Sequence, residues 1–569
     1  MGNPEVWRVT PQDEGRVAAL ASQAGVRPIV ARLLLARGVD SAEATAEFFD
    51  PSPSRLHDAF GMKGVEEAAD VLLSAARRGR RIVVFGDYDV DGVTSVAQLR
   101  AALLRAGADA VAFLPHRLKD GYGLKPATVR RVLDELSPGV IVTVDCGITA
   151  REGVACAREA GVEVIVTDHH LVPAQLPSGA VVVNPKQPGC GYPYKDLAAA
   201  GVALKISEAL VRRAGLRLPT ESLLRVACLG TIADLVPLTG ENRVIAAAGL
   251  AALASARAPG LRALLAEAGV APGQAPSSEQ IAFRVAPRLN AAGRLDTAEL
   301  ALALLEERDE DRAIATAREL SVRNAERQTL ERRVVGEARE RIAAGFDPGD
   351  AVLIEWDAGW HRGVLGIAAS RLAREYHRPV LLFGLDGERA TGSGRSVPGV
   401  SLHATLTEIA TLFDEFGGHD QAVGGSLPAD RLPALREAAR ALFAARVPPE
   451  ARTRVREADA DLTPGQVGVD TLAWLARFEP HGMGNPRPVF RFAPARGMGP
   501  FRPLGEKGLR GRLRANGAEI SAITWERTAL EGMLGAGGPL EVHYRIGRNR
   551  YGETEAEVLA ARPFGDVPP

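Results

Sequence analysis

The chain has 569 residues, 69 Lys and Arg against 70 Asp and Glu, a net charge of −1, and 46% hydrophobic residues. That length favours about four domains or fewer at roughly 150 residues each. The balanced charge excludes binding of nucleic acid by bulk charge, so any such binding has to come from local patches. No run of about 18 apolar residues is present, which argues against a membrane-spanning helix. The four cysteines, Cys146, Cys156, Cys190 and Cys228, show no C-x-x-C spacing, which leaves no zinc ribbon or disulfide framework to read. The first residues, MGNPEVWRVTPQDEGR, lack an apolar signal core. A cytoplasmic monomer without membrane contact is the expectation.

Residues 1–80 read as helical, with punctuation at Asp50-Pro51-Ser52-Pro53. From Arg81 short Val/Ile-rich runs alternate with helical stretches: RIVVF (81–85), VIVTV (140–144), VEVIV (162–166) and AVVV (180–183). Apolar runs without polar alternation suit strands buried on both faces, as in a parallel sheet between helices. Residues 200–300 are Ala- and Leu-rich, and the absence of Gly and Pro from Glu306 to Val335 predicts a long connecting helix over 303–344. A second α/β unit follows, with strands AVLIEW and PVLLFG, a glycine-rich turn region at ERATGSGRSV, and helices to about residue 446. Beyond Pro448-Pro449, the segments RGRLRA, EISAITW, EVHYRIG and TEAEVLAARPF alternate like strands of a small β-barrel of OB type. The fold class is therefore α/β: a parallel-sheet domain, a long helix, a smaller α/β domain and a C-terminal barrel. The expected divisions are 1–302, 303–344, 345–449 and 450–569.

The chemistry concentrates at strand ends. Asp87-Tyr88-Asp89-Val90-Asp91-Gly92 follows the first strand, Asp145 the second, and Asp168-His169-His170 the third. Loops at the carboxyl ends of parallel strands share one edge, where ligands bind. Asp234, in GTIADLVPL, is a further candidate at that edge. Carboxylates converging without matching Lys or Arg repel one another and call for a cation. Oxygen donors with one or two imidazoles fit Mn²⁺ or Mg²⁺, and two such ions would form a clamp for phosphoryl displacement. The D-x-D-x-D-G run also resembles the start of an EF-hand, but Gln98 stands where that loop needs its closing Glu, and the preceding segment is a strand. Bland alternatives are helix caps at Asp87 and Asp91, a surface His pair, and a structural Asp234.

GDYDVDG, TVDCG, VTDHH and GTIADLVPL together resemble the four successive motifs of the DHH phosphoesterase family. PHRLKDGYGL, APRLNAAGRL, WHRGVLGIAASRL, TGSGRSV, FGGHDQAVG and FEPHGMGNPRPVF extend the resemblance over nearly the whole chain, to the family's single-strand-specific exonucleases. The resemblance implies metal ligation by Asp89, Asp91, Asp145, His169 and Asp234, with Asp87 beside or among them and His170 near the scissile phosphate. Relatives often carry His where this chain has Phe85. The resemblance further implies 5′→3′ exonuclease action on single-stranded DNA in repair and recombination, with a single-strand-binding protein and a helicase as partners.

Substrate contacts are expected from Arg117, Arg288, Asn290, Arg294, Ser393, Arg395 and His419, and from Tyr122 by stacking on a base. The plain alternatives are loop arginines and turn residues. In the C-terminal segment Arg487, Arg491, Arg496, Arg502, Lys507, Arg510, Arg512, Arg514, Arg545, Arg548 and Arg550, with Tyr544 and Tyr551, read as a single-strand-binding face. All the metal-site residues precede residue 450, so the barrel is expected to be separable from the chemistry. Two other readings stay open: a small-substrate phosphoesterase of the same family, acting on oligonucleotides, cyclic dinucleotides or pyrophosphate, and a non-catalytic DNA-binding scaffold.

Overall fold

A computed structural model describes residues 5–117, 119–549 and 551–565. The first domain is built on a five-stranded parallel sheet. Its strands are β2 (Ile82–Gly86), β3 (Ala110–Phe113), β4 (Val140–Val144), β5 (Glu163–Thr167) and β6 (Val181–Val183), in the order β3-β2-β4-β5-β6. Every residue of β2 and β4 is buried, as their unbroken apolar runs require. One face packs on the helices Val90–Arg105, Ala199–Arg213, Thr220–Ala233 and Gly240–Leu253, in a core running from Ala59 to Leu320. The other face carries a smaller core with Phe85, Val129 and Val154. Phe85 is fully buried there and stacks on Phe113 at 5.3 Å, so it takes no part in the site.

The expected helix over 303–344 is two helices, Glu299–Glu306 and Glu310–Gly345. Local capping makes the break. The Glu307 carboxylate accepts the N–H groups of Arg308 and Asp309, and Asp309 caps the second helix through Arg312 N.

The second domain has strands β7 (Leu353–Asp357), β8 (Val380–Asp386), β9 (Arg389–Arg395), β10 (Glu415–His419) and β11 (Ala422–Pro428), ordered β10-β11-β9-β8-β7. Only β7 and β8 run parallel. The segment taken for a glycine-rich turn is the interior strand β9. Its glycines answer to packing: a Cβ at Gly392 would lie 2.3 Å from Phe383, and one at Gly394 2.8 Å from Leu402 and Val423.

The third domain closes a five-stranded barrel. Strands β14 (Phe490–Gly497), β16 (Gly508–Ala515), β17 (Ala518–Thr524), β18 (Leu540–Arg548) and β19 (Thr554–Pro563) join in a ring, sealed by pairing of β14 with β16. The short strands β13 (Ala460–Asp461) and β15 (Arg502–Leu504) extend it.

The N-terminal segment belongs with this barrel, unlike the expected grouping of 1–302. Strand β1 (Glu5–Val9) pairs in parallel with β12 (Arg454–Ala458). Leu20, Val30, Leu33, Leu34 and Phe48 share a core with Phe490, Leu513 and Tyr544. Sequence order placed these helices beside the parallel sheet; their apolar stripes pack instead into the barrel's core cluster.

Candidate metal centre and arginine cluster

The sheet register aligns Gly86 with Val144 and Val144 with Thr167, so Asp87, Asp145 and Asp168 leave the sheet at one edge. Asp89 caps the Val90–Arg105 helix, accepting from Gly92 N at 3.1 Å. Gly92 is obligatory: a Cβ there would stand 2.5 Å from the Asp87 carbonyl. Buried Asp91 accepts from Ala199 N and Ala200 N, both at 2.8 Å, and so ties the motif to the start of another helix. Asp234 ends the Thr220–Ala233 helix. His169 Nε2 lies 3.2 Å from Asp145 Oδ1, 3.7 Å from Asp234 Oδ2 and 4.0 Å from Asp91 Oδ2.

Three overlapping groups result. The ligand atoms of Asp87, Asp89 and Asp145 lie within 4.8 Å of one another, as do those of Asp91, His169 and Asp234, and those of Asp145, His169 and His170. Asp168 has another task. Its carboxylate accepts from the backbone of Ile148 (2.9 Å), His169 (2.8 Å) and His170 (3.1 Å), and bonds His170 Nδ1 at 2.7 Å. It orients the His170 imidazole and holds the backbone of His169.

The electrostatics demand a cation. Burial, with the charge of Asp89 second, pushes Asp87 up to about 8 and Asp91 up to about 7. Burial and then Asp91 push Asp234 up to about 9, and Asp145 is raised in the same way. Burial holds His169 down at about 3, leaving a neutral imidazole suited to ligation. Asp87 Oδ1 and His169 Nε2 are buried without a hydrogen-bond partner. Buried carboxylates in such number stay ionised only beside positive charge. Oxygen donors with a neutral imidazole fit Mn²⁺ or Mg²⁺.

Beside the acids stands a group of arginines. The Arg294 guanidinium is pushed down to about 9 by burial, then by Arg117 and Arg327, with Arg395 also near and Asp89 opposing. Burial and Arg117 lower Arg395 as well. Arg117 lies over the Tyr88 ring at 4.5 Å, and Arg395 Nη1 reaches its neighbour's carbonyl, Gly394 O, at 2.8 Å. Ser393 sits two residues before Arg395 on β9, paired with Leu382 and Gly424. His419, exposed at the tip of the β10–β11 hairpin, has Arg395 and His170 as charged neighbours. The second domain thus faces the metal edge.

Three predicted contacts are braces. Asn290 Oδ1 accepts from Val90 N at 3.2 Å and supports the acidic motif. The Tyr122 hydroxyl donates to the Asp145 carbonyl at 3.4 Å, with its ring edge to His170. Arg288 donates to Ser321 Oγ (3.0 Å) and the Arg284 carbonyl (2.6 Å), which ranks it behind Arg294 as a phosphate ligand. Sequence reasoning missed Lys186, whose Nζ donates to the His169 carbonyl at 2.8 Å, and Arg327, hidden in a helix of ordinary charge pattern. The position of Lys186 just after the β6 strand was the available signal.

The DHH family N-terminal domain matches residues 81–231, the DHHA1 domain 349–445, and the RecJ OB domain 458–560. The single-stranded-DNA-specific exonuclease RecJ of Escherichia coli is 35% identical over 483 residues, covering 81% of this chain and 83% of that protein. This chain belongs to the RecJ family. The Bacillus subtilis RecJ is 38% identical over 485 residues, 85% of this chain but only 61% of that longer relative. A Thermus thermophilus RecJ solved with Mn²⁺ superposes at a TM-score of 0.84 and 33% identity, covering 98% of this chain and 80% of that one. The same Thermus protein has also been solved with Mg²⁺. The RecJ match agrees with the parallel-sheet core and the closed barrel.

Proposed function

We propose that this RecJ-family protein is a metal-dependent 5′→3′ exonuclease that hydrolyses single-stranded DNA during repair and recombination. The observation that carries it is the pair of acid and histidine groups, joined through Asp145 and His169, beside an arginine cluster with few acidic partners. Asp87, Asp89 and Asp145 would hold one Mn²⁺ or Mg²⁺, and Asp91, His169 and Asp234 a second. Two such ions, when bound, supply an activated water and neutralise charge on the scissile phosphate.

The protein's own groups do the rest. Asp168 holds His170, and although burial opposes it, that bond raises the imidazole's pKa, which favours donation of a proton to a phosphate oxygen. Arg117, Arg294 and Arg395, with Ser393 and His419, form a cradle for a terminal 5′-phosphate, where guanidinium forks bind in charge-assisted pairs. The barrel supplies the single-strand track. An enzyme that takes free single strands suits a single-strand-binding protein and a helicase as partners. No single helix among the described residues is long and apolar enough to cross a membrane.

The test is Mn²⁺-dependent hydrolysis of long 5′-labelled single strands, matched duplexes, dinucleotides and cyclic dinucleotides. Release of mononucleotides from the long single strand is expected. Preference for the dinucleotides would move the protein to the small-substrate branch, and binding without hydrolysis would make it a scaffold.

A further inference from the structure

Asp234 is held differently from its partners. Asp87 and Asp145 follow directly from strands of one sheet and His169 one residue after Asp168, while Asp89 and Asp91 stand at the start of the helix that follows β2. Asp234 ends a helix, and the next residue, Leu235, has a φ of 61°. A leucine in left-handed geometry is strained, so its surroundings have to fix it.

The fixing element comes from the OB domain. Leu238 N donates to the Met483 carbonyl at 2.8 Å. A Cβ at Gly482 would fall 2.6 Å from Leu238 Cδ1, and one at Gly484 3.3 Å from Pro237 Cβ and Thr239 Cγ2. The OB-domain turn is therefore seated face to face on Pro237–Thr239, three residues beyond the metal ligand. Ser278 Oγ adds a bond to the His481 carbonyl at 2.7 Å. Behind the seat, the Tyr194 hydroxyl and Asn242 Nδ2 donate to the Pro237 carbonyl.

The turn itself is rigid. Gly482 and Asn485 exchange backbone bonds of 3.0 and 3.1 Å. The fully buried Asn485 amide donates to the carbonyls of Phe478 (2.6 Å) and Pro480 (2.9 Å), and its Oδ1 accepts from Arg37 Nε at 2.8 Å. Arg243, 3% exposed, locks turn to domain. Its guanidinium lies 3.9 Å over the Phe48 ring. It donates to the carbonyls of Phe48 (2.9 Å), Arg477 (3.1 Å), Phe478 (3.0 Å), Glu479 (2.9 Å) and Pro480 (3.5 Å). A guanidinium has five N–H groups, and five carbonyls meet them here.

We propose that the 478–485 turn of the OB domain is a structural part of the metal centre, with Arg243 as its clamp. The cation site of Asp91, His169 and Asp234 is complete only while the barrel is docked, so barrel position and metal occupancy are coupled. The barrel is then not separable from the chemistry, contrary to the reading from residue order. This inference rests on the metal-site reading above, and it assigns positioning residues only.

The test uses the full chain with Gly482→Ala and Arg243→Met. Mn²⁺ binding is followed by loss of the free-ion paramagnetic resonance signal, and DNA affinity and thermal unfolding are measured in EDTA. Loss of outer supports typically costs about 10- to 100-fold in metal affinity. A loss of that order is expected for the weaker ion, with DNA affinity in EDTA unchanged and cleavage recovering at high Mn²⁺. Should Arg243→Met fail to fold, Gly482→Ala decides alone, because its new methyl would stand 2.6 Å from Leu238 Cδ1 and 3.0 Å from its branch carbon Cγ, and so presses on the seat while leaving the turn's own hydrogen bonds in place. Unaltered Mn²⁺ binding in folded Gly482→Ala overturns the proposal. Wild-type protein that binds Mn²⁺ but does not cut single strands overturns the substrate assignment and leaves the coupling standing.

Discussion

The metal edge and the barrel face were both legible as runs of one charge, yet the structure treats them oppositely. At the edge, buried Asp87, Asp91 and Asp145 and half-buried Asp234 lie together and are all pushed towards protonation. On the barrel, half of the described basic strip is paired. Arg491 binds Asp461, Arg510 binds Glu555, Arg512 and Arg514 share Glu519, and Arg487 faces Glu557. The partners were invisible as a pattern because they arrive across strands: Glu519 sits opposite Arg514 on the next strand, five residues away, and Glu555 comes from β19. A charge run becomes evidence of function when its members lack partners in space. By that standard the acids and the Arg117–Arg294–Arg395 group are stronger evidence than the barrel strip.

The largest expected effect tests the acid edge. Asp89→Ala or Asp145→Ala should lower cleavage by at least about 10³-fold, since ligand loss removes water activation and charge neutralisation together. Affinity for single strands in EDTA should hold. Near-normal turnover in Mn²⁺ by either variant would remove these residues from the centre.

The next test is the acid edge without its cations. Asp87, Asp91 and Asp234 have folded-state values of about 8, 7 and 9, all above the ordinary carboxylate range. The folded state therefore holds more protons than the unfolded state, and stability falls as pH rises. The contribution is fully present below about pH 4, the unfolded value, and is lost as pH climbs through 7 to 9. The melting temperature in EDTA should thus decline from pH 5 to pH 9. Mn²⁺ should restore it, most at the alkaline end where fewer protons compete. A flat EDTA profile would mean the acids are already neutralised by the protein.

Much of this edge was readable beforehand, because strand ends in a parallel sheet converge whatever the loops between them. That Asp87, Asp89, Asp91, Asp145, Asp168, His169 and His170 share one edge followed from that rule alone. Three features did not. Asp91 doubles as a cap for a helix more than a hundred residues later, Asn290 and Tyr122 turned out to brace the acids from behind, and β9 hid behind glycines kept for packing. Each depends on a contact between distant segments, which residue order does not carry. Tyr544 is the same lesson on the barrel. It reads as a stacking aromatic, but it is fully buried, its hydroxyl donating to the Leu462 carbonyl, while Tyr551 is 65% exposed. Arg550 of the same run lies outside the described residues.

A smaller effect tests the arginine group. Arg395→Ala should weaken substrates with a 5′-phosphate by about 10-fold or more, as expected for a lost charge-assisted bond, and 5′-hydroxyl substrates less. Equal loss on both ends would place Arg395 along the general strand path instead.

The smallest effect separates paired from unpaired arginines on the barrel. Arg502 and Lys507 have no ion pair among the described residues, whereas Arg512 and Arg514 share Glu519 at close range. A phosphate recruits an unpaired cation at little cost, but a paired one has to leave its carboxylate, so the net gain shrinks. Each cation that meets a single-strand phosphate contributes roughly 0.7 to the slope of log affinity against log salt. Arg502→Ala should therefore flatten the slope by about that amount, and Arg512→Ala by much less. The titrations need a catalytically dead Asp89→Ala background, so that the strand survives the measurement. Equal slopes for both variants would show that cross-strand pairing does not decide which arginines meet DNA, and the contrast between edge and barrel would lose its basis.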